Sequence, residues 1–311
     1  MKLLKKYPIP ISGTALGLAS LGNLLRSYSE PLRTVLGLIA AIIIVFLVVK
    51  FLLLSKPVME AMENPVVAGT MATFPMTLMV LSTYIAQFKP FGMILWYLGV
   101  ILHVLLIVWF SLKFLKNFNI KKVFPTWFIL YVGIAVAPLT AAPHGTTALG
   151  MMLFWFAFIA YFILVAVVSY RVFKVKEIPD PAKPTLTVFA APGSLLLAAY
   201  MAGSPTKNLT IVYILLAFSL FFWAYAVLQL PKLLMMKFNP AFSSFTFPFA
   251  ISGLASKLTN GFLTKAGNPI PGMGILVNIQ EILSLVLVLY VLFKYLQFMF
   301  AGEPKLNEQT A

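Results

Sequence analysis

The sequence predicts an all-α integral membrane protein of ten transmembrane helices, arranged as five helical hairpins. Three observations predict it: an excess of apolar residues, evenly spaced hydrophobic runs, and a lopsided distribution of positive charge. Of 311 residues, 61% are hydrophobic and 10% charged, and the mean hydropathy is +0.97. Soluble domains run near 45–50% apolar and about 25% charged, so lipid is the solvent for most of this chain.

A bilayer core of about 30 Å takes about 20 apolar residues per helix. Such runs fall at 9–25, 33–55, 65–86, 90–112, 124–142, 147–171, 184–203, 207–230, 240–258 and 272–299. Connections between them are short. Residues 1–311 therefore read as a single transmembrane domain of five repeats, near 1–56, 57–117, 118–176, 177–235 and 236–300, with 301–311 as a cytoplasmic tail. The start, Met-Lys-Leu-Leu-Lys-Lys, resembles a signal-peptide n-region. Pro8 and Pro10 interrupt the apolar run beyond it and no small-residue cleavage site is evident, so the segment is expected to be retained.

Charge sets the orientation. With the N-terminus inside, only Arg26, Arg33, Lys89, Lys207, Lys257 and Lys265 of the 23 Lys and Arg fall on the outer side. Positive charge is retained on the cytoplasmic side, so both termini are expected there, in an inner or plasma membrane. The net charge of +15 does not point to nucleic acid, because the cations cluster between apolar runs with no interleaved stacking aromatics. Membrane lipid is the expected neighbour, with aromatics such as Trp96, Trp127 and Trp223 at its interfaces. There is no cysteine, which excludes disulfides, thiolate catalysis and Cys-ligated metals. No paired-carboxylate, Ser/His/Asp or metal-ligand cluster is present, so neither an enzyme nor a cofactor is expected.

The runs are of two alternating kinds. Even-numbered ones are bulky and continuous, as over 40–54, and suit a lipid-facing surface. Odd-numbered ones carry Pro, Gly, Ser and Thr, which let membrane helices approach closely. Each odd run holds one proline in a similar setting: Pro10, Pro75, Pro138, Pro192 and Pro248, spaced by 65, 63, 54 and 56 residues. Thr73-Phe74-Pro75 matches Thr246-Phe247-Pro248, and Gly17-Leu18-Ala19-Ser20 matches Gly253-Leu254-Ala255-Ser256. Further prolines at Pro65, Pro125, Pro184 and Pro240 mark first turns, where a missing N–H costs nothing. Five like-oriented, proline-kinked helices predict an inner ring around a pore, with the even helices outside.

The odd runs contain no Asp or Glu. Cation pathways recruit acidic rings or carboxylate relays, so a pore lined by hydroxyls and by backbone N–H groups freed at the kinks favours small anions. Phe247 lies seven residues past Pro240, about 10 Å into the membrane at an α-helical rise, where an aromatic ring can close a narrow hole. Phe74 holds the equivalent place, although taken alone it reads as packing between helices. Lys257 either pairs with Glu281, the one acid placed within a run, or faces an outer vestibule and attracts anions. His103, in the fourth run, reads as a hydrogen-bonded packing residue, and His144 as a solvated loop residue.

The stretch 242–256, Phe-Ser-Ser-Phe-Thr-Phe-Pro-Phe-Ala-Ile-Ser-Gly-Leu-Ala-Ser, resembles the ninth helix of the bacterial TehA tellurite-resistance proteins and plant slow anion channels. That superfamily also includes dicarboxylate (malate) permeases and sulfite efflux pumps. Residues 8–23 are similar to its first helix. The resemblance implies a homotrimer with one pore per subunit and an occluding phenylalanine that falls on Phe247. It allows two functions: a channel passing chloride, nitrate or carboxylates, or a secondary transporter of C4-dicarboxylates, sulfite or tellurite-related oxyanions. A proton-coupled transporter would need a titratable group in the pore, and none is visible unless His103 turns inward.

Overall fold

The computed structural model describes residues 1–116 and 118–300, and the tail assigned to 301–311 lies outside them. Among the described residues every regular element is helical. Seven helices are long and apolar enough to cross a membrane: Glu30–Leu53, Pro65–Ser82, Lys89–Leu115, Thr147–Val175, Asp180–Gly203, Leu209–Leu234 and Met273–Phe300. Two shorter apolar helices occupy Ile11–Leu25 and Thr126–Thr140. A tenth segment, Phe247–Lys265, is 19 residues long but diluted by Lys257, Asn260 and Lys265.

The α-helices in chain order are α1 (Lys2–Lys6), α2 (Ile11–Leu25), α3 (Glu30–Leu53), α4 (Ser55–Ala61), α5 (Pro65–Met71), α6 (Thr73–Ser82), α7 (Lys89–Phe110), α8 (Thr126–Tyr131), α9 (Val136–Thr140), α10 (Thr147–Ser169), α11 (Ala190–Gly203), α12 (Leu209–Leu234), α13 (Phe247–Lys265) and α14 (Met273–Phe300). Long, apolar α3, α7, α10, α12 and α14 run without interruption by proline until Pro231, in the last turns of α12. Side-chain caps start two of them. Ser29 Oγ accepts from Leu32 N at the head of α3, and Asn208 Oδ1 accepts from Thr210 N at the head of α12.

The other segments are broken, and the prolines explain where. A proline at position i removes the hydrogen bond to the carbonyl of i−4 and crowds it, so the helix fails on its N-terminal side. Accordingly α5 and α6 are interrupted at Ala72, and α8 and α9 by a 3-10 turn at Gly133–Ala135. The 3-10 segments Asp180–Phe189 and Pro240–Phe245 precede α11 and α13. Pro75, Pro138, Pro192 and Pro248 each lie in the first turn of the next α-helix, and Pro10 is the N-cap of α2. These prolines begin helices where the sequence predicts mid-helix kinks.

Burial separates the two kinds of segment. In Pro65–Ser82 and Asp180–Gly203, 78% and 89% of the most apolar stretch is buried, against 28–39% in the five uninterrupted helices. The broken and short segments touch one another in a closed circuit, α2 to α6, α6 to α9, α9 to α11, α11 to α13 and α13 back to α2. Each uninterrupted helix packs outside them, α3 on α2, α7 on α6, α10 on α9, α12 on α11 and α14 on α13.

Small residues allow the close approach within the circuit. A Cβ at Gly17 would sit 2.4 Å from Thr246 Cβ and 3.1 Å from Phe247 N. Side-chain hydroxyls staple the same neighbours: Thr246 Oγ1 donates to the Gly13 carbonyl at 2.9 Å, and Ser12 and Thr73 share a 2.6 Å hydrogen bond. Two of the tryptophans expected at the interfaces are core residues. Trp96 is fully buried and donates to Thr140 Oγ1, and Trp127 is buried against Phe110.

Candidate functional site

A narrow cavity lies where the helices are broken. Each broken or short segment contributes to its wall: Gly13 from α2, Thr73 and Met76 from α6, Phe128 and Val132 from α8 and the residue after it, Ala191 and Leu195 from α11, Ser244 from the 3-10 segment Pro240–Phe245, and Phe247 at the start of α13. Its volume is about 30 Å³, room for one or two waters when each needs roughly 10–15 Å³. None of its lining residues is ionisable. Because the segment leading to α13 is 3-10, with a rise of about 2 Å per residue, Phe247 stands about 14 Å beyond Pro240. That is farther along the chain axis than an α-helix would carry it.

The wall is more apolar than predicted, for a physical reason. A proline has no N–H to offer and leaves the carbonyl four residues earlier free. The freed Ser244 carbonyl is taken by Thr187 Oγ1 at 2.8 Å. Other hydroxyls are engaged between helices: Ser194 bonds Ser219 and Ser252, and Thr77 Oγ1 lies 3.4 Å from the Ser12 carbonyl. The hydroxyls hold the circuit together, and Phe128, Val132, Val188, Leu195, Met76 and Phe247 line the cavity with apolar side chains.

Phe247 is buried in this wall, 6% exposed. Phe74, in spite of its equivalent motif, points elsewhere. Its ring packs edge-on against Phe51 of α3 at 5.3 Å, and its neighbours Thr73 and Met76 face the cavity instead. Of the five aligned prolines, Pro192 and Pro248 reach the cavity wall, whereas Pro10, Pro75 and Pro138 act at a distance by setting where the helices break. Phe128 was not legible as a site residue. It lies ten positions before Pro138, out of step with the spacing seen in the other repeats, and only its aromatic character signals it.

A second, wider cavity of about 260 Å³ opens at the far ends of the same segments. It is lined by Ser20, Asn23, Val80, Thr83, Thr140, Ala202 and Leu254, with Arg26 and Arg33 at its rim. The two cavities share no lining residue. From Gly13 to Ser20 along α2 the separation is about 10 Å.

Lys257 is paired. Its Nζ donates to Glu281 Oε1 at 2.7 Å, to Ser27 Oγ at 2.8 Å and to the Leu24 carbonyl at 3.1 Å, and it lies over the Tyr28 ring. Tyr28 in turn donates to the other Glu281 oxygen at 2.8 Å. His103 is fully buried with Nε2 2.8 Å from the Leu130 carbonyl, outside the cavity. His144 is half-buried rather than solvated: its Nε2 is 2.8 Å from Ser82 Oγ, and burial lowers its pKa. Among the described residues no group of His, Cys, Asp or Glu could hold a metal ion.

Among the described residues, an all-helical fold with seven membrane-length apolar helices and a narrow uncharged cavity between its buried segments has the form of a membrane channel or transporter. Comparison with known families agrees. The family model SLAC1, voltage-dependent anion channel, matches residues 7–296, and the chain belongs to that family. No curated protein matches the chain. The superfamily suggested by 242–256 and 8–23 is thereby shown, and with it an anion channel or transporter in general, with small anions as its class of substrate.

Proposed function

We propose that the protein is a passive channel for small inorganic anions, crossing the membrane ten times with both termini cytoplasmic. In this reading α2, α5–α6, α8–α9, α11 and α13 form an inner ring, one from each of five hairpins, and the passage along its axis is closed by Phe247. The single observation that carries the reading is the narrow cavity. Every inner segment contributes to it, no ionisable side chain lines it, and Phe247 stands in its wall. A constriction of apolar side chains closes a pore by excluding water, without needing a charged latch. The absence of acids from that wall disfavours cations, and the absence of any titratable lining group favours a channel over proton-coupled carriage of dicarboxylates, sulfite or tellurite-related oxyanions. The family resemblance supports three copies per assembly, each with its own passage.

The test is electrical. Purified protein in a planar bilayer is recorded in chloride and nitrate gradients, as wild type and as Phe247→Ala. The variant is expected to raise anion current several-fold, with a reversal potential that follows the anion gradient. Equal currents in the two proteins would remove Phe247 from the role of gate. Flux that saturates and follows a pH gradient would replace the channel by a coupled carrier.

A further inference from the structure

The wide cavity carries charge that the narrow one lacks. Arg33, 9% exposed, is held rigidly at its rim. Nε donates to Asn23 Oδ1 at 2.9 Å, Nη2 to the Thr83 carbonyl at 3.1 Å, and Nη1 to Glu30 Oε2 at 3.3 Å, while the guanidinium lies 4.2 Å from the centre of the Tyr84 ring. A guanidinium so fixed keeps its charge and its position, and with five N–H donors it retains two that these bonds do not use. Arg26 approaches the same cavity from the end of α2, seven residues earlier in the chain. Its Nε donates to Glu30 Oε1 at 2.6 Å, and both of those side chains are more than half exposed. Glu30 therefore holds both arginines at once, and the cluster keeps one net positive charge.

We propose that this cluster is an anion-binding site that loads the passage, with Glu30 as a built-in competitor for the arginines. Exposed ion pairs contribute little, so a small anion arriving in the cavity displaces the Glu30 carboxylate from Arg26. Rigid Arg33 attracts it further inward, beside Asn23 and Thr83. The ligand is a small inorganic anion or a carboxylate, the species whose geometry a guanidinium fork meets. The site lies on the axis of the inner segments, because α2, α6, α9, α11 and α13 all line it. Lys257, on the same face, is excluded by its own carboxylate partner, Glu281.

The inference rests on the anion-channel reading, and its test separates the two. Nitrate titrations of the detergent-solubilised protein, followed by thermal stabilisation, report the site without any conduction. Bilayer currents at low salt report its effect on flux. Glu30→Gln is expected to tighten nitrate binding and to raise the current of anions arriving from this mouth, by about three-fold for one charge some 6 Å away in water. Arg26→Gln and Arg33→Gln are expected to do the opposite. These differences should disappear at about 1 M salt, where the Debye length is about 3 Å. Arg26→Gln alters an exposed side chain and carries the test should Arg33→Gln fail to fold. Glu30→Gln and Arg26→Gln shifting in the same direction, or neither shifting binding or current, would overturn the site. A wild-type protein that binds nitrate here but passes no anion current would leave the site standing and remove the channel.

Discussion

Phe74 and Phe247 occupy the same place in their motifs, one residue before Pro75 and Pro248, yet only the second reaches the cavity. The difference is angular. Each step along an α-helix turns the chain by about 100°, so a helix that begins at Thr73 and one that begins at Phe247 present different residues to the axis although their prolines align. Thr73 and Met76 take the inward positions, and Phe74 turns out onto Phe51. Phe74→Ala is accordingly expected to lower the melting temperature by loss of core packing, about 3 kcal/mol for a buried phenylalanine, without raising anion current. A current increase matching that of Phe247→Ala would show that the ring guards the passage after all. Lys257 teaches the same lesson for charge. Its position in the sequence suited either a vestibule or an ion pair, and only the approach of α13 to α14 brings Glu281 within 2.7 Å.

At the scale of elements, the proline rhythm made the inner segments legible and left their internal geometry hidden. Composition alone separates the uninterrupted helices, whose bulky side chains are half-exposed, from segments that are small-residue-rich and buried. What composition does not give is the 3-10 winding of Asp180–Phe189 and Pro240–Phe245, which lengthens those approaches, or the fact that each proline breaks the turn before it. The hydroxyls expected in the lumen are recruited as staples, since a buried Ser or Thr is most cheaply satisfied by a neighbouring carbonyl. One staple, Thr246 to Gly13, sits where α2 and α13 touch and lies next to Phe247. Gly17→Ala would drive a methyl group into Thr246, and overpacking of this kind costs roughly 1–3 kcal/mol. Because the displaced atoms include the backbone N of Phe247, the variant is expected to lose thermal stability and to leak anions together. Combining it with Thr246→Gly removes both the Cβ and the Oγ1 that the new methyl would meet, so the double variant should be more stable than the sum of the two single losses predicts. Strict additivity in the melting temperatures would mean that these residues do not oppose each other across the α2–α13 contact.

For the whole molecule, the decisive question is whether the three segments that fall short of the seven membrane-length helices also cross. Ile11–Leu25 and Thr126–Thr140 are each 15 residues, about 22 Å of α-helix, less than a hydrocarbon core of about 30 Å. Phe247–Lys265 is long enough but carries two lysines. Lipid would not accept such segments alone. Ile11–Leu25, Thr126–Thr140 and the first half of Phe247–Lys265 are largely buried among their neighbours, however, and non-helical or short backbone is tolerated at membrane depth where protein surrounds it. The chain is a convenient host for a direct test, because it contains no cysteine. Single cysteines at Lys5 and Ser27, at Lys122 and Ala142, and at Lys237 and Asn268 bracket the three segments in turn. With a membrane-impermeant maleimide, Lys5→Cys, Lys122→Cys and Lys237→Cys are expected to react only in inside-out vesicles, and their three counterparts only in intact cells. Reaction of both members of a pair from the same side would strike that segment from the inner ring, and the cavity it lines could then no longer be part of a passage through the membrane.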